Sequence, residues 1–159
     1  MTEPSAGVIR AAETEKDIAA ARGLFLAYAD SLDVDLCFQG FDAEMERFPG
    51  EYQPPHGGLF VAEANGGIVG VVGLRPAPDG YVEMKRLYLT DAARGLGLGK
   101  RLTETVISRA TEMGSQGVVL DTMSSMTAAQ DIYRKRGFEE CRPAKDGGHP
   151  DLLYFRLTF

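Results

Sequence analysis

Arg94-Gly95-Leu96-Gly97-Leu98-Gly99-Lys100 joins a strand pattern to a helix pattern. Upstream, Met84-Lys85-Arg86-Leu87-Tyr88-Leu89 reads as a strand, and Thr90-Asp91-Ala92-Ala93 as a short turn. Downstream, Leu98, Leu102, Val106, Ala110 and Met113 recur at helical spacing. The glycines therefore fall at a helix N-terminus. First-turn amides have no intrahelical acceptor, and the helix dipole adds partial positive charge there. Glycine permits a tight turn and removes the Cβ atoms that would keep a ligand away. A loop of this kind suits phosphate.

Two common phosphate loops do not fit. A Walker A loop needs glycine at position 94 and Ser or Thr after Lys100, where Arg101 stands. The dinucleotide pattern G-x-G-x-x-G fails because Gly99 comes one residue early. What remains is R-x-x-G-x-G, on Arg94, Gly97 and Gly99.

Working outward, Val8–Ala12 reads as an edge strand, and Thr14 as the cap of a helix from Glu15, with Asp17 completing a capping box. Ile18, Ala21, Phe25, Tyr28 and Leu32 mark that helix's apolar face, with Tyr28 placed to reach a cleft. Residues 31–56 form an irregular excursion that covers the sheet or serves function. Within it, Asp42 is the expected cap of a short helix through Phe48, stopped by Pro49-Gly50. Leu59–Ala64 and Ile68–Leu74 flank the hairpin signal Asn65-Gly66-Gly67. Tyr81–Leu89 follows as a third strand. Simple alternation puts Met84, Arg86 and Tyr88 on one face, and Glu83, Lys85, Leu87 and Leu89 on the other. Val118–Thr122 is a buried-type strand; with the loop and its helix it makes a βαβ crossover, so the two strands should be parallel. Ala128, Ile132 and Tyr133 mark one face of a last helix ending at Arg136-Gly137; strands from Phe138 and Leu152 finish the chain.

Three pieces in fixed order resemble the GNAT superfamily of acyl-CoA N-acyltransferases: E-M-K-R-L-Y-L with R-G-L-G-L-G, then L-D-T, then A-A-Q-D-I-Y-R-K-R-G-F. The resemblance implies one α/β domain over residues 1–159. Its expected fold is a mixed sheet of about seven strands with four helices, its central strands splayed around acetyl-CoA. It implies that the backbones of Leu87, Tyr88 and Leu89 pair with the acetyl and pantetheine part. The loop amides of Arg94, Gly95, Leu96, Gly97, Leu98, Gly99 and Lys100 would take the pyrophosphate. Lys100 and Arg101 read either as a solvated helix face or as contacts to a 3′-phosphate. Tyr133 matches the family's acid, against the alternative of a packed tyrosine. Glu83 is the candidate base, against an ion pair with Lys85 or Arg86; Asp121 reads as structural. Relatives often carry Asn just before the final helix. Here Met126 stands near that place, which leaves Ser125 and Thr127 as the cofactor contacts.

The function implied is acetyl transfer from acetyl-CoA directly to the amine of a small molecule, with residues 31–56 on the acceptor side. Asp33, Asp35 and Glu51 there would suit a cationic amine. The alternatives are a non-catalytic acyl-CoA-binding module, or an acetyltransferase for protein N-termini or lysines. A homodimer is compatible with the family. The net charge of −6 argues against a nucleic-acid or membrane-surface binder. Two cysteines, Cys37 and Cys141, and two histidines suggest neither a disulfide framework nor a zinc site. His149 reads as a surface residue. Without a visible secretion signal, the expected location is the cytoplasm.

Overall fold

A computed structural model of the chain describes residues 7–32, 40–93, 95–142 and 151–159. Arg94, Asp33, Asp35, Cys37 and His149, singled out above, lie outside the described residues. Seven strands form one sheet: β1 (Val8–Ala11), β2 (Gly58–Ala64), β3 (Gly67–Pro76), β4 (Val82–Leu89), β5 (Gly117–Met123), β6 (Glu139–Cys141) and β7 (Leu152–Thr158). Their order across the sheet is β1-β2-β3-β4-β5-β7-β6. The α-helices of the described residues are α1 (Glu15–Ser31), α2 (Phe41–Glu46), α3 (Leu98–Glu112) and α4 (Thr127–Arg136), with short 3-10 turns at Pro78–Gly80 and Asp91–Ala93. The β2–β3 turn has positive φ at Asn65 and Gly66, the geometry that its Asn-Gly pair predicts.

Two apolar layers enclose the sheet. One joins α3 and α4 to it through Leu98, Leu102, Val106, Leu120, Tyr133 and Phe155. The other joins α1 and α2 through Ala21, Phe25, Met45, Tyr52, Val61 and Val71. Phe25 is fully buried and meets Phe48 and Tyr52 edge-on, with centroids 5.1 and 5.4 Å away. The expected α1 stripe is thus the observed core face. In α4 the inward small residue is Ala129; Ala128 is exposed, one step off the periodicity reading.

Thr14 caps α1 as expected, its Oγ1 accepting from the Asp17 amide at 3.1 Å. Asp17 also forms an ion pair with Arg10, whose guanidinium holds its carboxyl well below the usual range. Thr14→Ala should cost about 1 kcal/mol, the ordinary worth of a cap, read as a lower urea midpoint at constant slope. Asp42 is not a cap: Gly40, in the left-handed region at φ 70°, begins α2, and Asp42 lies in the first turn.

Two departures from regular pairing shape the middle of the sheet. β4 and β5 are parallel partners only at Val82–Val118 and Glu83–Val119. Beyond those rungs β4 stays with β3 as far as Leu89, and β5 stays with β7 as far as Met123. The two strands therefore part, leaving each with a backbone edge turned to the gap. β4 also carries a bulge: Lys85 pairs with Gly73 and Tyr88 with Val71, so Arg86 and Leu87 together oppose Val72. Arg86 has φ 61°, the backbone distortion that makes the bulge.

Candidate active site

The bulge corrects the alternation reading. Before it, Met84 faces the α3–α4 layer; after it, Leu87 and Leu89 face the same layer. Tyr88 faces α1, 6.1 Å edge-on from Tyr28. Glu83 and Leu87 thus do not share a face. One extra residue resets the strand's two-residue period. No residue type in Lys85-Arg86-Leu87 announces it.

On the α1–α2 face the bulge gathers charged groups that the sequence scatters widely. Arg75 Nε donates to Glu83 at 2.9 Å, and its Nη1 reaches Glu44 at 3.3 Å. Lys85 Nζ lies 3.3 Å from Asp121 and 3.8 Å from Glu83. Arg86 donates from Nε to Glu44 at 3.3 Å and rests over the Phe41 ring. The expected Glu83 ion pair thus exists with Lys85, while Arg75 replaces Arg86 as its second partner. The Lys85 side chain is only 2% exposed, and desolvation lowers its pKa against the pull of Asp121. Sequence reasoning passed over Glu44 and read Lys85 only as an ion-pair partner of Glu83 at the sheet surface; a lysine inside a strand, two residues from Glu83, was the available signal.

At the gap, α1, β4, β5 and α4 converge. Tyr28, Arg86, Leu87, Asp121, Met126 and Tyr133 line a cavity of about 30 Å³ there. Tyr133 is 4% exposed and packs against Phe138 and Phe155. Burial pushes its pKa up, with the charge of Asp121 contributing, so the phenol is protonated at neutral pH. Tyr28 is pushed up to about 12, mainly by burial. Met126 does line the gap where an Asn was anticipated, and its sulfur accepts from Thr122 Oγ1 at 3.6 Å. Ser125 and Thr127 are exposed beside it.

The glycine loop does two jobs. Gly95 and Gly97 have φ 79° and 68°, and a Cβ on either would meet nothing within 4 Å. Gly97 is the N-cap of α3 and offers no side chain to its amides. Gly99 instead packs inward: a Cβ there would lie 3.2 Å from Leu89 and 3.5 Å from Ile132. Its smallness seats the helix start against β4 and α4. Lys100 is exposed, while Arg101 donates to the Gly7 carbonyl at 3.0 Å. Among the described residues no cluster of His, Cys, Asp or Glu could hold a metal ion, and no helix is long and apolar enough to cross a membrane.

The Acetyltransferase (GNAT) family model matches residues 10–138. The chain belongs to that family. An uncharacterized N-acetyltransferase of Schizosaccharomyces pombe is 33% identical over 159 residues, covering 99% of this chain and 98% of its own. A GNAT-family acetyltransferase from Staphylococcus aureus Mu50 superposes with a TM-score of 0.78 at 20% identity, covering 96% of this chain and 98% of that one. A Bacillus subtilis acetyltransferase solved in complex with CoA gives a TM-score of 0.67 at 20% identity, covering 96% and 99%. The fold expectation is met, and this GNAT chain is an N-acetyltransferase.

Proposed function

We propose that this GNAT protein transfers an acetyl group from acetyl-CoA directly to the amine of a small molecule in the cytoplasm, within one domain spanning residues 1–159. The observation that carries this reading is the β4–β5 gap, with the open α3 N-terminus on one side and a protonated tyrosine inside it. The neighbour crystallised with CoA supports the choice of cofactor.

The residues present fit that cofactor. Gly95, Leu96, Gly97, Leu98, Gly99 and Lys100 would hold the pyrophosphate on backbone amides, with positive-φ glycines leaving the approach open. The β4 backbone at Leu87, Tyr88 and Leu89 has no β5 partner, so an extended pantetheine chain can add there like a strand. Ser125 and Thr127, exposed at the start of α4, would meet it from the far side. Acetyl-CoA, when bound, supplies the activated acetyl group as a thioester.

The chain's own work is to place the groups and move protons. Tyr133 keeps its proton at neutral pH and presents an O–H to the departing sulfur; such a donor contributes by hydrogen bonding as charge develops. The incoming amine must shed a proton on the opposite face. Asp121 lines the gap there, and Glu83 shares the Lys85 ammonium with it. Glu83 is therefore proposed as an indirect member of the proton-accepting string.

The test is thiol release from acetyl-CoA across a panel of free amines. Amine-dependent release supports transfer. Acetyl-CoA binding without release to any small amine or peptide would contradict it and leave a binding module.

A further inference from the structure

A larger cavity, of about 350 Å³, opens on the α1–α2 face between α2, the turn after it and β3. Glu44, Arg47, Glu51, Tyr52 and Arg75 are in its wall. Its volume is that of a small-molecule site. An ion pair links it to the gap: Glu44 lines the large cavity, and its partner Arg86 lines the small one. It is therefore the adjoining space into which the remote end of an acceptor would extend.

The polar groups of this cavity are unevenly satisfied. Glu44 is 10% exposed and both its oxygens are taken, Oε1 by Arg75 and Oε2 by Arg86. Glu51 is at the rim, 68% exposed. Apart from Glu51, whose carboxylate comes within 3.8 Å of Arg75 Nη1, the open groups are donors. Arg75 spends Nε on Glu83 and Nη1 on Glu44, while Nη2 meets no acceptor among the described residues. Arg47 is exposed and pairs with no carboxylate among the described residues. Tyr52 is 2% exposed, yet its hydroxyl has no hydrogen-bond partner. Burial, and after it the nearby Glu44 charge, raise the Tyr52 pKa and keep the phenol protonated, while both Glu44 oxygens already serve Arg75 and Arg86. Gly73 holds this arrangement: a Cβ there would press within 2.7 Å of the Tyr52 ring.

A buried donor left without an acceptor is costly, and a forked guanidinium matches a carboxylate. Building on the transferase reading above, we infer that the acceptor is an amine that also bears a carboxylate several bonds away, as the side-chain amine of an amino acid such as lysine or the N-terminus of a small peptide does. Its carboxylate sits among Arg47, Arg75 and Tyr52, and its amine passes the Glu44–Arg86 pair into the gap. Local cations are what such a ligand needs on a chain of net charge −6. This choice narrows the acceptor away from polyamines, which Asp33, Asp35 and Glu51 would have suited.

The experiment is a nitrogen-15 NMR titration of the CoA-loaded chain with two carboxylate-bearing amines, lysine and alanylalanine. Ethylamine, phosphoethanolamine and spermidine complete the set, and thiol release is followed separately. Carboxylate-bearing probes should shift the amides of residues 43–52 and bind about tenfold tighter than ethylamine, the worth of one charge-assisted contact. Arg47→Glu, an exposed change, should remove that advantage and leave acetyl-CoA affinity unaltered. Equal or tighter binding of ethylamine or spermidine would overturn the inference. So would a response to phosphoethanolamine alone, or an Arg47→Glu chain that still prefers the carboxylate. Shifts at residues 43–52 without thiol release would sink the transferase reading and leave this site standing. Release without those shifts would do the reverse.

Discussion

Tyr133→Phe should bind acetyl-CoA as the parent chain does and lose activity by about 10²–10⁴-fold in kcat, the usual range for a positioned proton donor. The substitution removes one oxygen from a ring that otherwise keeps its contacts with Phe138 and Phe155. Stability should therefore change little, and the loss should fall on kcat rather than on the KM for acetyl-CoA. If the phenol were only a packing residue, the variant would retain most of its activity. The same variant should respond to the leaving group. An acyl donor with a more acidic thiol needs less help at sulfur, so the gap between parent and variant should narrow. Steady-state kinetics with the two donors checks both statements.

The second large effect is expected at the Lys85–Asp121 pair. Asp121→Ala takes the nearer carboxylate, at 3.3 Å, from a lysine with a 2% exposed side chain and leaves Glu83 at 3.8 Å. Breaking a buried pair on one side typically costs about 3–5 kcal/mol. Replacing both partners by apolar residues, as Lys85→Met with Asp121→Leu, should cost clearly less than the single change. Both proteins should lose transfer activity, because the carboxylate lining the gap is gone in each.

The pH dependence has a definite sign. Desolvation already lowers the Lys85 pKa from 10.5, and Asp121 raises it against that trend. Without Asp121 the folded-state pKa falls further. The unfolded chain then binds more protons than the folded one across a wider window below 10.5, and stability rises with pH through that window. Asp121→Ala should therefore recover part of its lost stability as pH rises, relative to the parent chain. Urea unfolding at a series of pH values reads this directly. A variant equally destabilised at every pH would contradict a charged Lys85.

Local signals in the sequence carried most of the fold. Thr14 and Asp17 announced the start of α1, Asn65-Gly66 the hairpin, and the apolar spacing from Leu98 the helix after the loop. Each rests on contacts within a few residues. The gap was legible only through the family resemblance, since nothing in β4 or β5 says where the two strands part. What escaped was long-range or irregular. The bulge at Arg86 turned Glu83 away from the face of Leu87, because alternation assumes an unbroken ladder. Glu44 reads as an ordinary helix acid, yet it bridges Arg75 and Arg86, 31 and 42 positions away. Lys85 and Asp121 meet across 36 positions. Pairings of that kind exist only once the sheet has formed, so no periodicity could reveal them.

The α3 N-terminus is the proposed seat of the pyrophosphate. The most direct test is isothermal titration with acetyl-CoA of the parent chain and of Gly97→Asp. Aspartate is among the few residues that tolerate the left-handed region Gly97 occupies, so the loop can keep its shape. Its carboxylate would lie where the pyrophosphate should bind and would occupy the same amides. The expected result is micromolar binding by the parent chain and none by a variant whose circular dichroism is unchanged. Equal binding by both chains would contradict the placement of the cofactor, and no binding by the parent would contradict acetyl-CoA itself.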